Sequence, residues 1–206
     1  MARFTRAELE SFRGATVDDL VADPLRLLFV GINPGLWTAA VNTHFARPGN
    51  RFWPAMYLAG ITADEVDAGD GLTDDQRAAL RAAGIGITNI VEVATARADE
   101  LTPEQYHAGG ARLRAFVRRH RPAVVAVLGV TAFRTAFGLP KAAVGPHPES
   151  FEGAGLWVLP NPSGLNAHES VASLAGWYRR AAEAAGVPLH RAFDPGPAGT
   201  KVPPRR

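Results

Sequence analysis

Residues 29–37 read FVGINPGLW and decide the fold, because an apolar segment there runs directly into a turn rich in Gly, Asn and Pro. The longer segment RLLFVGI at 26–32 is a short apolar run bounded by turn formers, which is typical of a buried strand. A single amide side chain, Asn33, therefore stands where a buried strand is predicted to leave the core. Open parallel sheets bind their ligands at such positions, beyond the carboxyl ends of the strands.

Predicted strands and helices alternate along most of the chain. The strands are predicted over 26–32, 85–93, 122–130 and 155–164, and the helices over 49–60, 73–84, 101–120, 131–138 and 169–186. This alternation implies right-handed crossovers and a parallel sheet. We therefore predict a single α/β domain with a central, mainly parallel sheet of about four strands, flanked by helices on both faces. It spans 26–186, after an N-terminal extension (1–25) and before a flexible Pro/Gly-rich basic tail (187–206).

Composition excludes several function classes. The chain has 206 residues, of which 47% are hydrophobic and 20% charged, an ordinary globular balance with room for one sizeable core. The lack of cysteine excludes disulfides, thiolate zinc sites, cysteine nucleophiles and cysteine-ligated iron–sulfur clusters. No apolar run approaches the length of a membrane span, and no secretory signal is recognisable at the N-terminus. We expect a cytoplasmic protein that does not bind membranes.

The net charge and the spacing of the histidines bear on nucleic-acid binding and on metal binding. The formal net charge is only +2, so any binding to nucleic acid has to rest on a local basic face and not on the whole molecule. Four histidines, His44, His107, His147 and His168, invite a metal-site interpretation. They do not follow HExxH or another paired spacing on one helix turn, so the sequence predicts no metal site.

The last predicted strand also ends in an Asn-Pro turn, within LPNPSGLNAH at 159–168. Because the carboxyl ends of parallel strands lie at one edge of a sheet, we expect this turn to lie near the turn at Asn33. Each turn alone also fits an ordinary loop, since Gly and Asn tolerate unusual backbone angles and Asn or Ser often caps a helix. Neither turn matches a P-loop or GxGxxG.

Four segments together resemble the mismatch-specific uracil-DNA glycosylases, the bacterial relatives of thymine-DNA glycosylase within the uracil-DNA glycosylase superfamily. They are GINPG (31–35), HFARPGNRFW (44–53), HAGG (107–110) and LPNPSGLN (159–166). The resemblance extends from about residue 26 to residue 183. It implies a bacterial enzyme that flips uracil, or a related damaged base, opposite guanine out of double-stranded DNA. The enzyme would then hydrolyse the N-glycosidic bond without a cofactor. We expect it to act as a monomer in the bacterial cytosol, because one active face on one duplex suffices.

The resemblance assigns the catalytic step to Asn33, which would hold the attacking water near the sugar C1′. An amide is a poor base, so the water would be oriented and not strongly deprotonated, and positioning and electrostatics would carry the barrier. Phe45 is the implied aromatic residue that stacks on the flipped base, a contact of about 1–3 kcal/mol that offsets part of the unstacking cost. The other residues implied around the base are Gly31, Ile32, Gly35 and Thr38.

The resemblance assigns contacts with DNA to the loop after the last strand. Leu165 would fill the hole that the flipped nucleotide leaves, because an apolar plug replaces lost stacking. Gly164 would bring the backbone close to the orphaned guanine. The predicted DNA-binding residues of this loop are Asn161, Ser163, Gly164, Leu165 and Asn166. For Arg47 and Arg51, a phosphate contact and a solvated surface position both stay open.

Glu92, near the end of the second predicted strand, has two interpretations. It pairs with a nearby arginine such as Arg97, or it is catalytic and helps to activate the water or stabilise the cationic sugar. In the family an acidic residue near this place is followed by RPT, whereas this chain has VAT at 93–95. The loop after the second predicted strand therefore departs from the family pattern at these residues.

Two other functions remain open on the same fold. One is a DNA mismatch-binding or damage-binding protein that does not hydrolyse the base, since an amide is a weak catalyst. The other is an enzyme that processes nucleosides or nucleotides, for which a wedge such as Leu165 has no use. Neither Lys141 nor Lys201 falls in the motif loops, so the sequence predicts a monofunctional glycosylase that does not nick the strand.

Overall fold

A computed structural model describes residues 4–193, and a five-stranded sheet lies at its centre. The strands are β1 (Leu27–Gly31), β2 (Ile85–Asn89), β3 (Val124–Leu128), β4 (Gly145–Pro146) and β5 (Gly155–Leu159). Their order across the sheet is β2-β1-β3-β5-β4. Strands β1, β2, β3 and β5 are parallel, whereas β4 runs antiparallel to β5. The predicted α/β fold with a mainly parallel sheet is confirmed.

The strands are shorter than predicted, and one was missed. β4 consists of a single Gly-Pro pair, which contains no apolar run that a sequence pattern could detect. β2 and β5 end at Asn89 and Leu159, several residues before their predicted ends. β5 ends directly before the turn formers Pro160 and Asn161, whereas β2 ends at Asn89 although the buried Ile90 and Val91 follow it. The shorter strands place the two Asn-Pro turns and Asn89 at one edge of the sheet.

Seven α-helices surround the sheet within the described residues. They are α1 (Arg6–Glu10), α2 (Leu36–Ala40), α3 (Phe52–Leu58), α4 (Asp74–Ala82), α5 (Pro103–His120), α6 (Val130–Phe137) and α7 (Val171–Ala184). Thr73 and Thr102 cap α4 and α5 as their sequences predict. Pro54 does not kink α3, because it lies in the first turn, where its missing N–H has no partner to lose. No helix in this part of the chain is long and apolar enough to cross a membrane.

Two clusters of buried side chains, one on each face of the sheet, form the core. The first includes Phe29 of β1, Phe52 of α3 and Tyr178 of α7. The second includes Leu113 of α5 and Phe133 of α6. Every residue of β1, β2 and β3 is buried, as expected for parallel strands covered on both faces.

The described part of the N-terminal extension packs against the domain. Leu20 and Ile87 exchange backbone hydrogen bonds of 2.9 and 2.8 Å, which pair the extension antiparallel with β2. Farther along, the backbone N–H of Gly14 donates to the Ala94 carbonyl at 2.8 Å. These contacts cover the edge strand β2, whose backbone groups would otherwise face water.

The predicted tail does not begin at Val187. That residue is buried, and the backbone N–H of His190 donates to the Gly60 carbonyl at 2.8 Å. The Arg191 guanidinium lies 3.8 Å from the ring centroid of Tyr57 and donates to the Tyr57 carbonyl at 2.6 Å. Because Pro and Gly patterns do not reveal such long-range contacts, the sequence placed the boundary too early. The remainder of the predicted tail, 194–206, lies outside the described residues.

Candidate active site

A cavity of about 330 Å³ opens at the carboxyl ends of the parallel strands. The loops that follow β1, β2 and β5 contribute to its wall. Its lining includes Asn33, Thr38, Phe45, Asn89, Thr95, Asn161, Ser163 and Leu165. The two Asn-Pro turns, more than a hundred residues apart in sequence, therefore meet at one cavity, as their positions at strand ends predict.

Three acceptors hold the side-chain amide of Asn33. Its Nδ2 donates to the carbonyl oxygens of Pro34 and Val93, each at 3.1 Å, and to Thr95 Oγ1 at 2.8 Å. Thr95 Oγ1 donates its own hydrogen to the Arg97 carbonyl at 2.8 Å, so its lone pairs face Asn33. An amide oxygen in the place of Nδ2 would confront these acceptors, so the amino group has to lie there. Asn33 Oδ1 accepts no hydrogen bond from the described residues and is available to a ligand in the cavity.

Phe45 supplies an aromatic ring to the cavity wall. One face of the ring stacks on Phe52, with centroids 4.1 Å apart and planes inclined by 22°, and Phe52 is fully buried. The backbone of Phe45 has a φ of 58°, a left-handed conformation that costs about 1–3 kcal/mol in a bulky residue. Such strain persists only where the surroundings hold the residue, and here they hold the ring beside the cavity.

Asn89, the last residue of β2, is a second amide in the wall and was missed by sequence reasoning. The residue is 5% exposed and pairs in register with Gly31. Gly31 has to lack a side chain, because a Cβ would come within 2.3 Å of Asn89 Oδ1 and 3.0 Å of the Phe45 ring. Gly31 thus makes room for the site but does not line the cavity. The signal that singled out Asn33, an amide at the end of a buried strand, is present at Asn89 as well.

His44 is buried beside Asn89. His44 Nδ1 lies 3.1 Å from Asn89 Nδ2, and His44 Nε2 lies 3.2 Å from the Asp18 carbonyl oxygen. A carbonyl oxygen only accepts, so Nε2 carries the proton and Nδ1 accepts from Asn89. Burial lowers the pKa of His44 to about 4, which keeps the ring neutral at physiological pH.

The remaining residues predicted around the base lie in the wall or directly behind it. Thr38 is 5% exposed, lines the cavity and has no hydrogen-bond partner for its hydroxyl among the described residues. Ile32 and Gly35 also line the cavity. The segment from Ile32 to Thr38 therefore forms one side of the site and includes the amide of Asn33.

The loop after β5 presents an apolar side chain to solvent at the cavity mouth. Leu165 is 83% exposed, more than any other large apolar residue of the described chain. Beneath it, Asn161 Oδ1 accepts from the Ser163 N–H at 3.0 Å, and Asn166 Nδ2 donates to the Asn161 carbonyl at 3.0 Å. Asn161, Ser163 and Leu165 line the cavity, whereas Gly164 and Asn166 lie outside its lining.

Comparison with known proteins identifies the family. The family model for the Uracil DNA glycosylase superfamily matches residues 19–184, which include all of the residues described in the cavity wall. The chain belongs to the uracil DNA glycosylase superfamily. This membership indicates DNA glycosylase activity in general, on DNA that contains uracil.

The fold is also similar to a solved structure. That similar structure is the solution NMR structure of a protein from Methanosarcina acetivorans that is provisionally named a uracil DNA glycosylase. The two chains are 17% identical, and their superposition has a TM-score of 0.54. The match covers 82% of this chain and 97% of the other. At this identity the likeness supports the fold alone.

Arg51 holds the loop after β5 of this glycosylase in place. Its Nη1 donates to the carbonyl oxygens of Asn166 and Glu169 at 2.7 and 2.8 Å, and its Nη2 donates to the Gly164 carbonyl at 3.2 Å. These bonds give Arg51 a structural role that the sequence did not suggest, and a phosphate contact stays a prediction. Arg47, in contrast, is exposed and lines the cavity.

Glu92 is not part of the cavity wall and pairs with an arginine. It is outside the cavity lining, its side chain is 55% exposed, and its Oε1 lies 3.3 Å from Arg112 Nη1. The predicted partner Arg97 instead pairs with Asp99 at 2.6 Å. Asp99 is the carboxylate that reaches the cavity wall, and its ion pair places it at the exposed rim. The geometry therefore favours the structural interpretation of Glu92, and its catalytic role stays a prediction.

The HAGG segment contributes to helix packing and not to the cavity. A Cβ on Gly109 would lie 2.4 Å from the Ile90 carbonyl oxygen, and one on Gly110 would lie 2.6 Å from the Ala136 carbonyl oxygen. These glycines let α5 approach the end of β2 and α6. No cluster of three or more histidine or acidic residues within 4–193 is arranged to hold a metal ion.

Proposed function

We propose that this glycosylase removes uracil opposite guanine in double-stranded DNA, by flipping the nucleotide and hydrolysing its N-glycosidic bond with a positioned water. The observation that carries the proposal is the composition of one cavity wall. There, Asn33 Oδ1, the Phe45 ring and the Asn89 amide stand together beside the exposed Leu165. Related damaged bases of similar size belong to the same proposal, as does a monomer of the bacterial cytosol that works without a cofactor.

Asn33 orients the attacking water. Pro34, Val93 and Thr95 hold its amino group, so Oδ1 is fixed as an acceptor before the substrate arrives. Because an amide is too weak a base to remove the proton, bond cleavage runs ahead of water attack. The sugar becomes oxocarbenium-like and uracil departs as an anion. The water then forms the new bond to C1′, and its proton passes to the uracil anion or to solvent. Positioning and electrostatic stabilisation then lower the barrier.

Phe45 and Asn89 bind the flipped base. The ring of Phe45 stacks on one face of the base, which is worth about 1–3 kcal/mol in single-strand binders. Uracil presents the N3–H donor beside the O4 acceptor. Asn89 matches that edge, since Oδ1 accepts and the amino hydrogen not used by His44 donates. The hydroxyl of Thr38 provides a further polar group in the same wall.

The loop after β5 acts on the duplex. Leu165 enters the space that the flipped nucleotide vacates, and an apolar side chain there replaces part of the lost stacking. Gly164 offers backbone groups to the guanine that has lost its partner. Flipping uracil out of a mismatch with guanine costs less than flipping it out of a Watson–Crick pair with adenine, which favours uracil opposite guanine.

The reaction ends at an abasic site, with the strand intact. Cleavage of the strand by a lyase needs an amine that attacks C1′. Lys141 lies after α6 and is not part of the cavity lining, and Lys201 lies outside the described residues. A water-directed step at Asn33 therefore leaves alkali-labile sites and no direct nicks.

A single-turnover assay on a labelled duplex with one uracil opposite guanine tests the proposal. The wild type should give strand breaks only after alkali treatment. Asn33→Ala should lower the rate by about 10²–10³-fold, since the water loses its fixed acceptor. Leu165→Ala should lower it by about tenfold, and Leu139→Ala, an exposed leucine after α6, should not change it.

The same assay separates the alternatives. A wild type that binds the duplex but leaves it intact is a lesion-binding protein and contradicts the proposal. If Leu165→Ala matches the wild type on duplex DNA, the wedge is not used and a nucleoside becomes the better substrate. Equal rates for the wild type and Asn33→Ala keep the glycosylase but remove Asn33 from its mechanism.

A further inference from the structure

The hydrogen bond between His44 and Asn89 fixes which atoms of the Asn89 amide face the cavity. His44 sits between two groups, the backbone carbonyl of Asp18 at Nε2 and the Asn89 amide at Nδ1. The carbonyl cannot donate, so it requires a proton on Nε2. A neutral imidazole with its proton on Nε2 has only a lone pair on Nδ1, so the amino group of Asn89 has to face it.

Rotating the Asn89 amide by half a turn is disfavoured, because each ring nitrogen of His44 would then lose a hydrogen bond or meet another acceptor. Oδ1 would then meet the lone pair of Nδ1 at about the present separation of 3.1 Å. Moving the proton to Nδ1 would relieve that contact but would place a bare Nε2 against the Asp18 carbonyl. A proton on both nitrogens is opposed by the burial of His44, which is 5% exposed. His44 therefore holds the Asn89 amide in one orientation, with its amino group toward Nδ1. We call this the locked orientation.

The two amide orientations read different bases. In the locked orientation Asn89 offers an acceptor and a donor that match N3–H and O4 of uracil. Cytosine has the opposite pattern, with an acceptor at N3 and a donor at N4. It would pair only with the rotated amide, or it would leave buried polar groups without partners in the locked one.

We propose that His44 is a specificity-determining positioning residue, which holds Asn89 in the orientation that accepts uracil and rejects cytosine. His44 itself need not touch the base. The inference rests on the proposed function, since it takes Asn89 as the residue that reads the flipped pyrimidine. It adds the group that decides which pyrimidine Asn89 reads.

Binding of non-hydrolysable substrates tests this role apart from the chemical step. Uracil and cytosine, each as a 2′-fluorinated nucleotide, are placed opposite a tetrahydrofuran abasic analogue, so that neither has to break a base pair. The measured quantity is the ratio of the cytosine Kd to the uracil Kd. His44→Asn keeps a polar group near the position of Nδ1, but its amide can either accept or donate.

We expect His44→Asn to lower this ratio by about tenfold or more, while uracil binding changes little. His44→Leu should lower the ratio too, with weaker uracil binding, since the amino group of Asn89 loses its acceptor. His107→Asn, a change of an exposed histidine on α5, should leave the ratio as in the wild type. A merely structural role of His44 would weaken both ligands equally and leave the ratio unchanged.

Each outcome has a distinct meaning. An unchanged ratio in a folded His44→Asn variant, with a lowered ratio in Asn89→Ala, overturns the role of His44 and leaves the proposed function intact. An unchanged ratio in both variants overturns the reading of the base by Asn89 as well. Failure of the wild type to cleave uracil opposite guanine would remove the proposed function itself.

A second test observes the tautomer of His44 directly in the wild-type protein. Long-range proton–nitrogen correlation spectra distinguish the two neutral tautomers of histidine, and the His44 signals are those that His44→Asn removes. Near pH 7 we expect the tautomer with the proton on Nε2. A proton on Nδ1, or on both nitrogens, would contradict the proposed role of His44.

Discussion

The two Asn-Pro turns of this glycosylase share a sequence pattern and use their asparagines in opposite ways. Asn33 gives its amino group to acceptors of its own turn and of the loop after β2, which leaves its oxygen available to the cavity. Asn161 gives its oxygen to the backbone N–H of Ser163, two residues ahead, in a local Asx turn. In the proposed mechanism the amide of Asn33 serves the chemistry, whereas the amide of Asn161 shapes the loop that carries Leu165.

The neighbouring elements account for the difference. β1 lies beside β2, so the turn at Asn33 lies against Val93 and Thr95, whose oxygens collect the amino group. The side-chain amino group of Asn161 has no acceptor among the described residues. Instead, Arg51 holds the segment that follows it through three carbonyls. The same residue in the same kind of turn therefore acquires its role from the atoms that face it.

The largest expected effect comes from replacing each of the two asparagines by aspartate. In Asn33→Asp a carboxylate oxygen would face the carbonyls of Pro34 and Val93, so we expect the single-turnover rate to fall by about 10²–10³-fold. Asn161→Asp keeps the acceptor that the Ser163 N–H needs, so we expect a loss within about tenfold. Rates on duplex uracil and binding to a 2′-fluorinated uracil duplex would be measured for both variants. An Asn33→Asp enzyme as fast as the wild type would mean that a carboxylate is tolerated there and that the amide orientation is not needed.

The fold was largely predictable because its signals are local. Each main strand is an apolar run bounded by turn residues, and Thr73 and Thr102 mark the starts of two helices by their capping pattern. The packed segment from Val187 to Phe193 was not predictable, since its anchor is the Arg191 guanidinium on carbonyls more than a hundred residues earlier. Short strands such as β4 leave no periodic signal to detect.

Several residues of the cavity wall were predictable, but the orientations of their side chains were not. Asn33, Phe45 and Leu165 follow from the motifs, yet the choice of which Asn33 atom faces the cavity depends on Thr95, sixty-two residues away. The sequence gives no sign that Arg51 holds a loop or that His44 orients an amide, because both roles depend on hydrogen bonds to distant residues. Asn89 could have been found by the rule that was applied to Asn33.

A smaller effect is expected on the free energy of unfolding at acidic pH, and it comes from the region of Asn33 and Asn89. The cavity side of the molecule contains His44, whose pKa burial lowers to about 4, below the unfolded value near 6.5. Between these values the unfolded chain binds a proton that the native state does not, so stability falls as pH drops from about 6.5 to 4. The loss from this group amounts to about 3 kcal/mol. Urea unfolding of the wild type and of His44→Asn across this range should show a pH-dependent difference of that size. A constant difference between the two proteins would show that His44 titrates normally.

The smallest expected effect concerns the support of the loop after β5. Arg51→Lys keeps the positive charge, but a single ammonium cannot bond the carbonyls of Gly164, Asn166 and Glu169 together as the guanidinium does. We therefore expect Arg51→Lys and Arg51→Ala to lower the single-turnover rate on duplex uracil by a similar factor of about ten, because the Leu165 loop is less well held. Single-stranded uracil DNA, which needs no wedge, should be cleaved at nearly the wild-type rate. Recovery of activity by lysine, with a salt dependence of binding that arginine and lysine share and alanine lacks, would instead identify residue 51 as a phosphate contact.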